Sequence, residues 1–290
     1  MNEMKIGVRL HDLGDKSLPD RIALAGKLGF TSAHLASKDL YKSFGIDRSG
    51  LVQELAEQLR QNFDQAGIEV AVYGCYKNLA QPVGPKLDEV IKEYAASARF
   101  AKWLGADCVG TETGRPNPEN KITDERMSKA GLKAFESGLS QALEACEDED
   151  VTLAIEPGFN ETVCTPERAH QVIQDMQSPT LRIIYDAVSL LHPTVVSKAS
   201  EVVQKMLELN GDRIIVLHAK DYQVIDAGDK LGWADGSGKR LVCFGAGECG
   251  NFDFASIAAW AKDNVPTIPC IIENSRPDTA EQDKAYLQSL

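Results

Sequence analysis

The stretch "RIIVLHAKDY", residues 213–222, runs four apolar residues into a histidine, a lysine and an aspartate. An unbroken apolar run of this length reads as a strand buried on both faces. A lone histidine at its end is ordinarily a satisfied core residue. Three other apolar runs end on a polar residue in the same way. "LAIEPG" (153–158) breaks on Glu156, "IIYDAV" (183–188) on Asp186 and "CIIENS" (270–275) on Glu273. An aspartate after a strand is often a helix cap. Glutamate directly behind three apolar residues is harder to explain blandly, because it is rarely buried without a partner.

Apolar runs and amphipathic segments alternate along the whole chain. Strands are expected over 5–10, 32–36, 69–74, 107–112, 151–156, 181–186, 213–218 and 269–274. Helical periodicity occupies 51–66, 86–104, 124–146, 166–177, 194–209 and 253–263, with Leu51, Leu55, Leu59 and Phe63 forming the stripe of the first. "KLGF" (27–30), "QAGI" (65–68) and "WLGA" (103–106) each place glycine just past a helix, where a left-handed cap is needed. About eight strand–helix units without a Pro/Ser linker give an α/β protein, a single (β/α)8 TIM barrel of one domain over 1–290. The stretch 220–252 reads as one long loop, a length that suggests function.

Composition excludes several classes. The 290 residues carry 31 Lys+Arg against 43 Asp+Glu, a net charge of −12. Such a surface repels phosphate backbones and anionic headgroups, so neither nucleic acid nor membrane is an expected partner. No apolar run approaches the ~20 residues of a membrane span, and "MNEMKIGVRL" lacks the features of a signal peptide. The seven cysteines contain no CxxC pair and read as reduced thiols, so a cytoplasmic location is expected. Cys75 stands beside an expected cleft and is the thiol most open to a role.

In a parallel barrel all strand C-termini lie on one face, so Glu156, Asp186, His218 and Glu273 converge there. Three carboxylates at short range repel unless a cation joins them. The oxygen-rich set suits Mn²⁺, Mg²⁺ or Co²⁺, with Zn²⁺ admitted. Such an ion holds neighbouring oxygens of a polyhydroxy carbonyl compound and stabilises the enediolate left by C–H abstraction. Glu156 and Glu273 are the catalytic proton-transfer candidates. Lys220, two residues beyond His218, faces the same way if the backbone stays extended, and is a third catalytic candidate. Other strand ends supply substrate-binding candidates: His34, Tyr76, Glu112 in "GTETGRP", and Arg276.

These residues resemble those of the xylose isomerase-like barrel superfamily, in particular its sugar phosphate isomerase/epimerase group. The matching pieces are "LAIEPG", "YDAVSLL", "LHAKD", "IIENS", "KIGVRL", "LGAD" and "GAGECGNFDF". The resemblance implies that Glu156, Asp186, His218 and Glu273 bind the metal, that the substrate is a small sugar or cyclitol, and that the chain can pair as a homo-oligomer. Ketose 3-epimerases of the group carry a histidine where Ser189 stands and an arginine where Val224 stands. Both departures point away from free-ketose 3-epimerisation. "YDAVSLLHP" is similar to other members, among them inosose dehydratases and isomerases. The expected activity is a metal-dependent sugar, sugar phosphate or cyclitol isomerase/epimerase working through a metal-stabilised enediolate. A dehydratase on the same scaffold is the alternative.

Three further readings compete. "GAGECG" (245–250) has the form of a dinucleotide-binding GxGxxG. Its glycines do not open the helix, however, since "NFD" intervenes and Asp253 is the expected cap. An endonuclease of the multi-zinc type needs more than the five histidines present. A barrel that binds sugar without turnover is the third.

Overall fold

The computed structural model describes residues 4–227 and 238–290. Eight parallel strands close into a barrel: β1 (Lys5–Arg9), β2 (Ser32–Ala36), β3 (Glu69–Gly74), β4 (Cys108–Glu112), β5 (Leu153–Glu156), β6 (Leu181–Asp186), β7 (Ile214–Ala219) and β10 (Pro269–Ile272). The ring closes where β1 pairs with β10, Lys5 opposite Pro269 and Val8 opposite Ile272. Around it lie α1 (Leu18–Lys27), α2 (Ser37–Phe44), α3 (Gln53–Ala66), α4 (Pro85–Leu104), α5 (Lys129–Glu147), α6 (Pro166–Met176), α7 (Ala199–Asn210), α8 (Ala255–Asn264) and α9 (Ala280–Gln288).

The expected glycines do end helices: Gly67 (φ 68°) closes α3 and Gly105 (φ 80°) closes α4 in left-handed geometry, and Gly29 (φ 72°) follows α1. One expected cap is displaced: α8 starts at Ala255 with Phe254 as its N-cap, and the Asp253 carboxylate, one residue earlier, accepts from Ala255 N at 2.9 Å. The short helices α2 and α9 lacked a long apolar stripe and escape periodicity analysis.

Two apolar layers fill the molecule. The larger packs strands against helices. The smaller is a plug inside the barrel, built from Ala71, Val72, Cys108, Ala154, Ile184, Val216 and Ile271. Ala71, Cys108 and Ala154 of β3–β5 share the plug with the larger Ile184, Val216 and Ile271 of β6, β7 and β10. A side chain at Gly110 would meet Val72 Cγ1 at 2.5 Å and Ile184 Cδ1 at 2.8 Å, so only glycine leaves the plug room there.

One expectation is corrected. The stretch 220–252 is not one long loop. It contains an antiparallel hairpin, β8 (Asp221–Asp226) with β9 (Lys239–Phe244), Asp221 opposite Phe244. Residues 228–237 of that stretch lie outside the described residues.

Candidate active site

Side chains alternate along a strand, so the residue two places beyond each plug residue also faces the barrel axis. From Ala154 this gives Glu156, from Ile184 Asp186, from Val216 His218 and from Ile271 Glu273. The apolar plug therefore forms the floor, and the polar strand ends form a layer on top of it. Ligand atoms of these four residues all lie within 4.8 Å of one another, and all four are buried. His218 Nδ1 is 3.4 Å from Glu156 Oε1 and 3.3 Å from Glu273 Oε1. The cap reading of Asp186 holds in part: its Oδ1 accepts from Ser189 N at 2.8 Å, which leaves Oδ2 directed to Lys220.

Lys220 continues the same alternation. Its Nζ lies 2.5 Å from Asp186 Oδ2, 3.1 Å from Glu273 Oε2 and 3.0 Å from Ser189 Oγ. Burial opposes its charge, but Asp186 and Glu273 overcome this and hold the ammonium protonated well above its ordinary range. Burial likewise opposes ionisation of Glu273. Lys220, His218 and Arg9 outweigh it and hold that carboxyl well below its ordinary range. The His218 imidazole is raised, since Glu273 and Glu156 outweigh the burial that disfavours its charge.

Arg9 escaped the sequence reading. It ends β1 just as Glu156 ends β5, and the same strand-end rule identifies it. Its guanidinium lies 3.1 Å from Glu273 Oε1 and grips Asp12 at 2.9 and 3.1 Å. Ser189, noted in the sequence as a departure from the ketose 3-epimerases, lines the cavity, and the Arg115–Glu161 pair (2.6 Å) lines it without an advance signal.

The substrate candidates separate. His34 stacks between Tyr76 (5.5 Å) and His218 (5.4 Å), and neither of its ring nitrogens has a hydrogen-bond partner among the described residues. Tyr76 donates to Glu156 Oε2 at 3.0 Å. Gly74 makes this stack feasible, for a Cβ there would lie 2.6 Å from His34 Nε2 and 2.5 Å from the Tyr76 ring. Glu112 pairs in register with Glu156 and lines the mouth. The surrounding protein, Glu161 and Glu156 push its carboxyl up to about 8, although its exposed side chain is screened by the water of the open cavity. Arg276 is corrected: it is half exposed, paired with Glu248 at 3.0 Å and Asp278 at 3.6 Å, and lines neither mouth cavity. The backbone at Asn274 turns left-handed (φ 59°), which breaks the alternation after Glu273. Cys75 is buried, and burial pushes its thiol up to about 12, which suits packing rather than nucleophilic work.

"GAGECG" finds its own anion. The carboxylate of Asp221 accepts from the backbone N of Cys249 (2.9 Å), Gly250 (2.7 Å), Asn251 (3.2 Å), Phe252 (3.0 Å) and Tyr222 (2.7 Å). Amides that a dinucleotide phosphate would use are taken, and the strand before the motif belongs to the antiparallel hairpin.

The residues present fit a divalent cation. Neither His218 ring nitrogen has a hydrogen bond of normal geometry, although both are buried. Four carboxylates, Glu156, Asp186, Glu273 and Asp12, stand around two Lys/Arg side chains among the described residues, Lys220 and Arg9, so the oxygen donors outnumber the cations that face them.

The fold and its mouth define a parallel (β/α)8 barrel with an acid-rich site on the C-terminal face of the strands. A family model described as "Xylose isomerase-like TIM barrel" matches residues 22–290, and the chain belongs to that family. Among solved structures it is similar to a D-tagatose 3-epimerase-like protein, with TM-score 0.71, 19% identity and coverage of 99% of this chain and 96% of that one. The 3-keto-D-glucoside 4-epimerase YcjR from E. coli has TM-score 0.67, 15% identity and coverage of 99% and 100%. The probable 3-DHS dehydratase AsbF from Bacillus anthracis has TM-score 0.70, 15% identity and coverage of 98% of both chains. No curated protein matches the chain by sequence. Among the described residues, no helix is long and apolar enough to cross a membrane.

Proposed function

We propose that this protein is a divalent-metal-dependent isomerase/epimerase of a sugar, sugar phosphate or cyclitol. The observation that carries the reading is the gathering of three carboxylates and an imidazole within 4.8 Å on top of the barrel plug. Glu156, Asp186, His218 and Glu273 would hold the ion, with Mn²⁺, Mg²⁺ or Co²⁺ best suited to the oxygen-rich set. When bound, such an ion polarises neighbouring hydroxyl and carbonyl oxygens and acidifies the C–H between them.

The chain's own residues do the rest. Glu156 and Glu273 stand on either side of His218 and are the groups that take up and return the substrate proton. Arg9 holds Glu273 as an anion, and the Tyr76 hydroxyl orients Glu156 through its 3.0 Å hydrogen bond. The protonated Lys220 ammonium donates to oxygen charge that develops on the substrate. His34 offers a neutral, buried ring to a hydroxyl: burial and then His218 keep its pKa well below the ordinary value. Glu112 lines the same mouth beside Glu156.

A dehydratase is the second reading. Ser189 occupies the position where ketose 3-epimerases have histidine, and it contacts the Lys220 ammonium. That arrangement leaves a proton donor beside the acids, suited to the loss of a β-hydroxyl as water. Incubation of ketoses, ketose phosphates and inososes with Mn²⁺ in D₂O tests both. Isomerisation or epimerisation exchanges a substrate carbon proton, whereas dehydration removes the mass of water. A metal-loaded protein that exchanges no proton on any of these compounds is not an isomerase.

A further inference from the structure

The larger mouth cavity, about 350 Å³, has an acidic floor, and its wall carries Lys38 and Lys77 as well as Glu112. Glu156, Glu273, Lys220 and Arg9 form the floor and are absorbed by the proton-transfer reading. Lys38 and Lys77 border the same cavity and are not. Neither ammonium is paired with a carboxylate among the described residues. Unpaired lysines are ordinary on a solvated surface. Here two of them border one cavity of a chain whose net charge is −12, where acids are abundant as partners.

Helix α2 opens at the same cavity, with Lys38 as its second residue. Its cap residue, Ala36, has no side-chain acceptor to offer the first amides. Asp39, the acid of its first turn, is turned onto Arg21 at 2.9 Å. Ala36, Ser37 and Lys38 all line the cavity, so the positive end of the helix borders it uncapped. His34, two residues before the cap, gives independent testimony. It is 1% exposed, lines the same cavity and has two ring nitrogens without a hydrogen-bond partner among the described residues. Buried polar atoms are satisfied in native proteins, so these nitrogens mark a place in the cavity that a bound group completes.

We infer that the substrate is an anionic polyhydroxy carbonyl compound whose phosphate or carboxylate is held by Lys38, Lys77 and the first amides of α2, while its hydroxyl-bearing chain runs past His34 to the acids. This rests on the isomerase or dehydratase reading for what happens at the floor. It does not rest on it for the anion itself. A charge-assisted hydrogen bond to each lysine makes both strong contributors, worth roughly tenfold in affinity apiece.

The test is binding, read separately from turnover. Metal-free protein is titrated with inorganic phosphate, and Mn²⁺-loaded protein with ribulose 5-phosphate, fructuronate and ribulose. Phosphate affinity is expected to fall at least tenfold in K38A/K77A and to stay unchanged in Lys205→Ala, an exposed residue of α7. Both anionic ketoses should bind at least tenfold more tightly than ribulose, and the double variant should erase that preference. The tighter of the two identifies phosphate or carboxylate as the natural group. Unaltered melting of K38A/K77A separates lost binding from lost fold, and K38Q/K77Q serves if the alanine pair melts early. Equal affinity for ribulose and the anions, or phosphate binding indifferent to both lysines, overturns the inference. Lysine-dependent phosphate binding without any proton exchange upholds it and removes the isomerase reading. Exchange on ribulose that ignores both lysines does the reverse.

Discussion

Asp221 and Glu273 are equally buried carboxylates, and the protein neutralises them by opposite means. Asp221 accepts five backbone N–H groups, drawn from the start of β8 and the turn over 249–252. Every donor is fixed by the backbone, so the charge is cancelled once and permanently. Glu273 faces Lys220, Arg9, His218 and, across the imidazole, Glu156. Its partners are ionisable side chains, and two further acids compete for them. The first arrangement ties a hairpin to a barrel. The second keeps carboxylate lone pairs available to a cation and a substrate. A buried acid is therefore structural or chemical according to what surrounds it, and its position at a strand end does not decide between them.

The strongest way to break this comparison is Glu156→Gln. It should cut substrate proton exchange by on the order of 10³-fold, within the range for a positioned proton-transfer group, while metal-free melting stays level or rises because a like charge has gone. Exchange in D₂O followed by NMR reads the first and a thermal scan the second; undiminished exchange would remove Glu156 from the chemistry. Asp221→Ala should do the opposite. Leaving several buried amides without an acceptor costs about 3–4 kcal/mol, visible in denaturant midpoints, and Asp221→Asn should cost less because one oxygen remains. If Asp221→Ala instead abolishes metal binding at unchanged stability, the division between the two acids is wrong.

Smaller effects sharpen the picture. Lys220→Met should lower turnover roughly 10²-fold, with metal affinity retained or increased, since a competing cation leaves the acids. Calorimetric titration with Mn²⁺ checks the affinity. Chelation should lower the melting temperature, and Mn²⁺ at about 100 times its Kd should restore about 2.7 kcal/mol. A melting curve indifferent to metal would mean that the acids are matched without an ion. The smallest effect concerns Glu112, whose carboxyl is pushed up to about 8. The folded state holds this proton more tightly than the unfolded chain, whose value is near ~4.3. Its contribution to stability is thus full below the unfolded value and lost as pH rises through about 8. Glu112→Gln should flatten the fall in melting temperature over that window, and an unchanged slope would argue against the raised value.

Much of the site was legible because a strand repeats every two residues. In "LAIE", "IIYD", "VLH" and "IIE" the inward positions hold an apolar plug residue and then a polar one, and that order alone marks the mouth of the barrel. Arg9 obeys the same rule, but a cation at a strand end does not by pattern belong to an acid cluster. The hairpin was not legible. Its strands, "DYQVID" and "KRLVCF", are half polar, and their pairing partners are separated by more than a short turn.

The sequence by itself determined the succession of strands and helices, the inward face of each strand and the residues at each strand's end, because these follow from local periodicity. Only the tertiary structure decided which ends meet. Closing the ring brought Glu156, Asp186, His218 and Glu273 within 4.8 Å. One left-handed residue at Asn274 sent Arg276 to the surface, while the extended backbone beyond His218 kept Lys220 inside. Such outcomes depend on contacts between distant segments and on single backbone angles, neither of which a repeating pattern encodes.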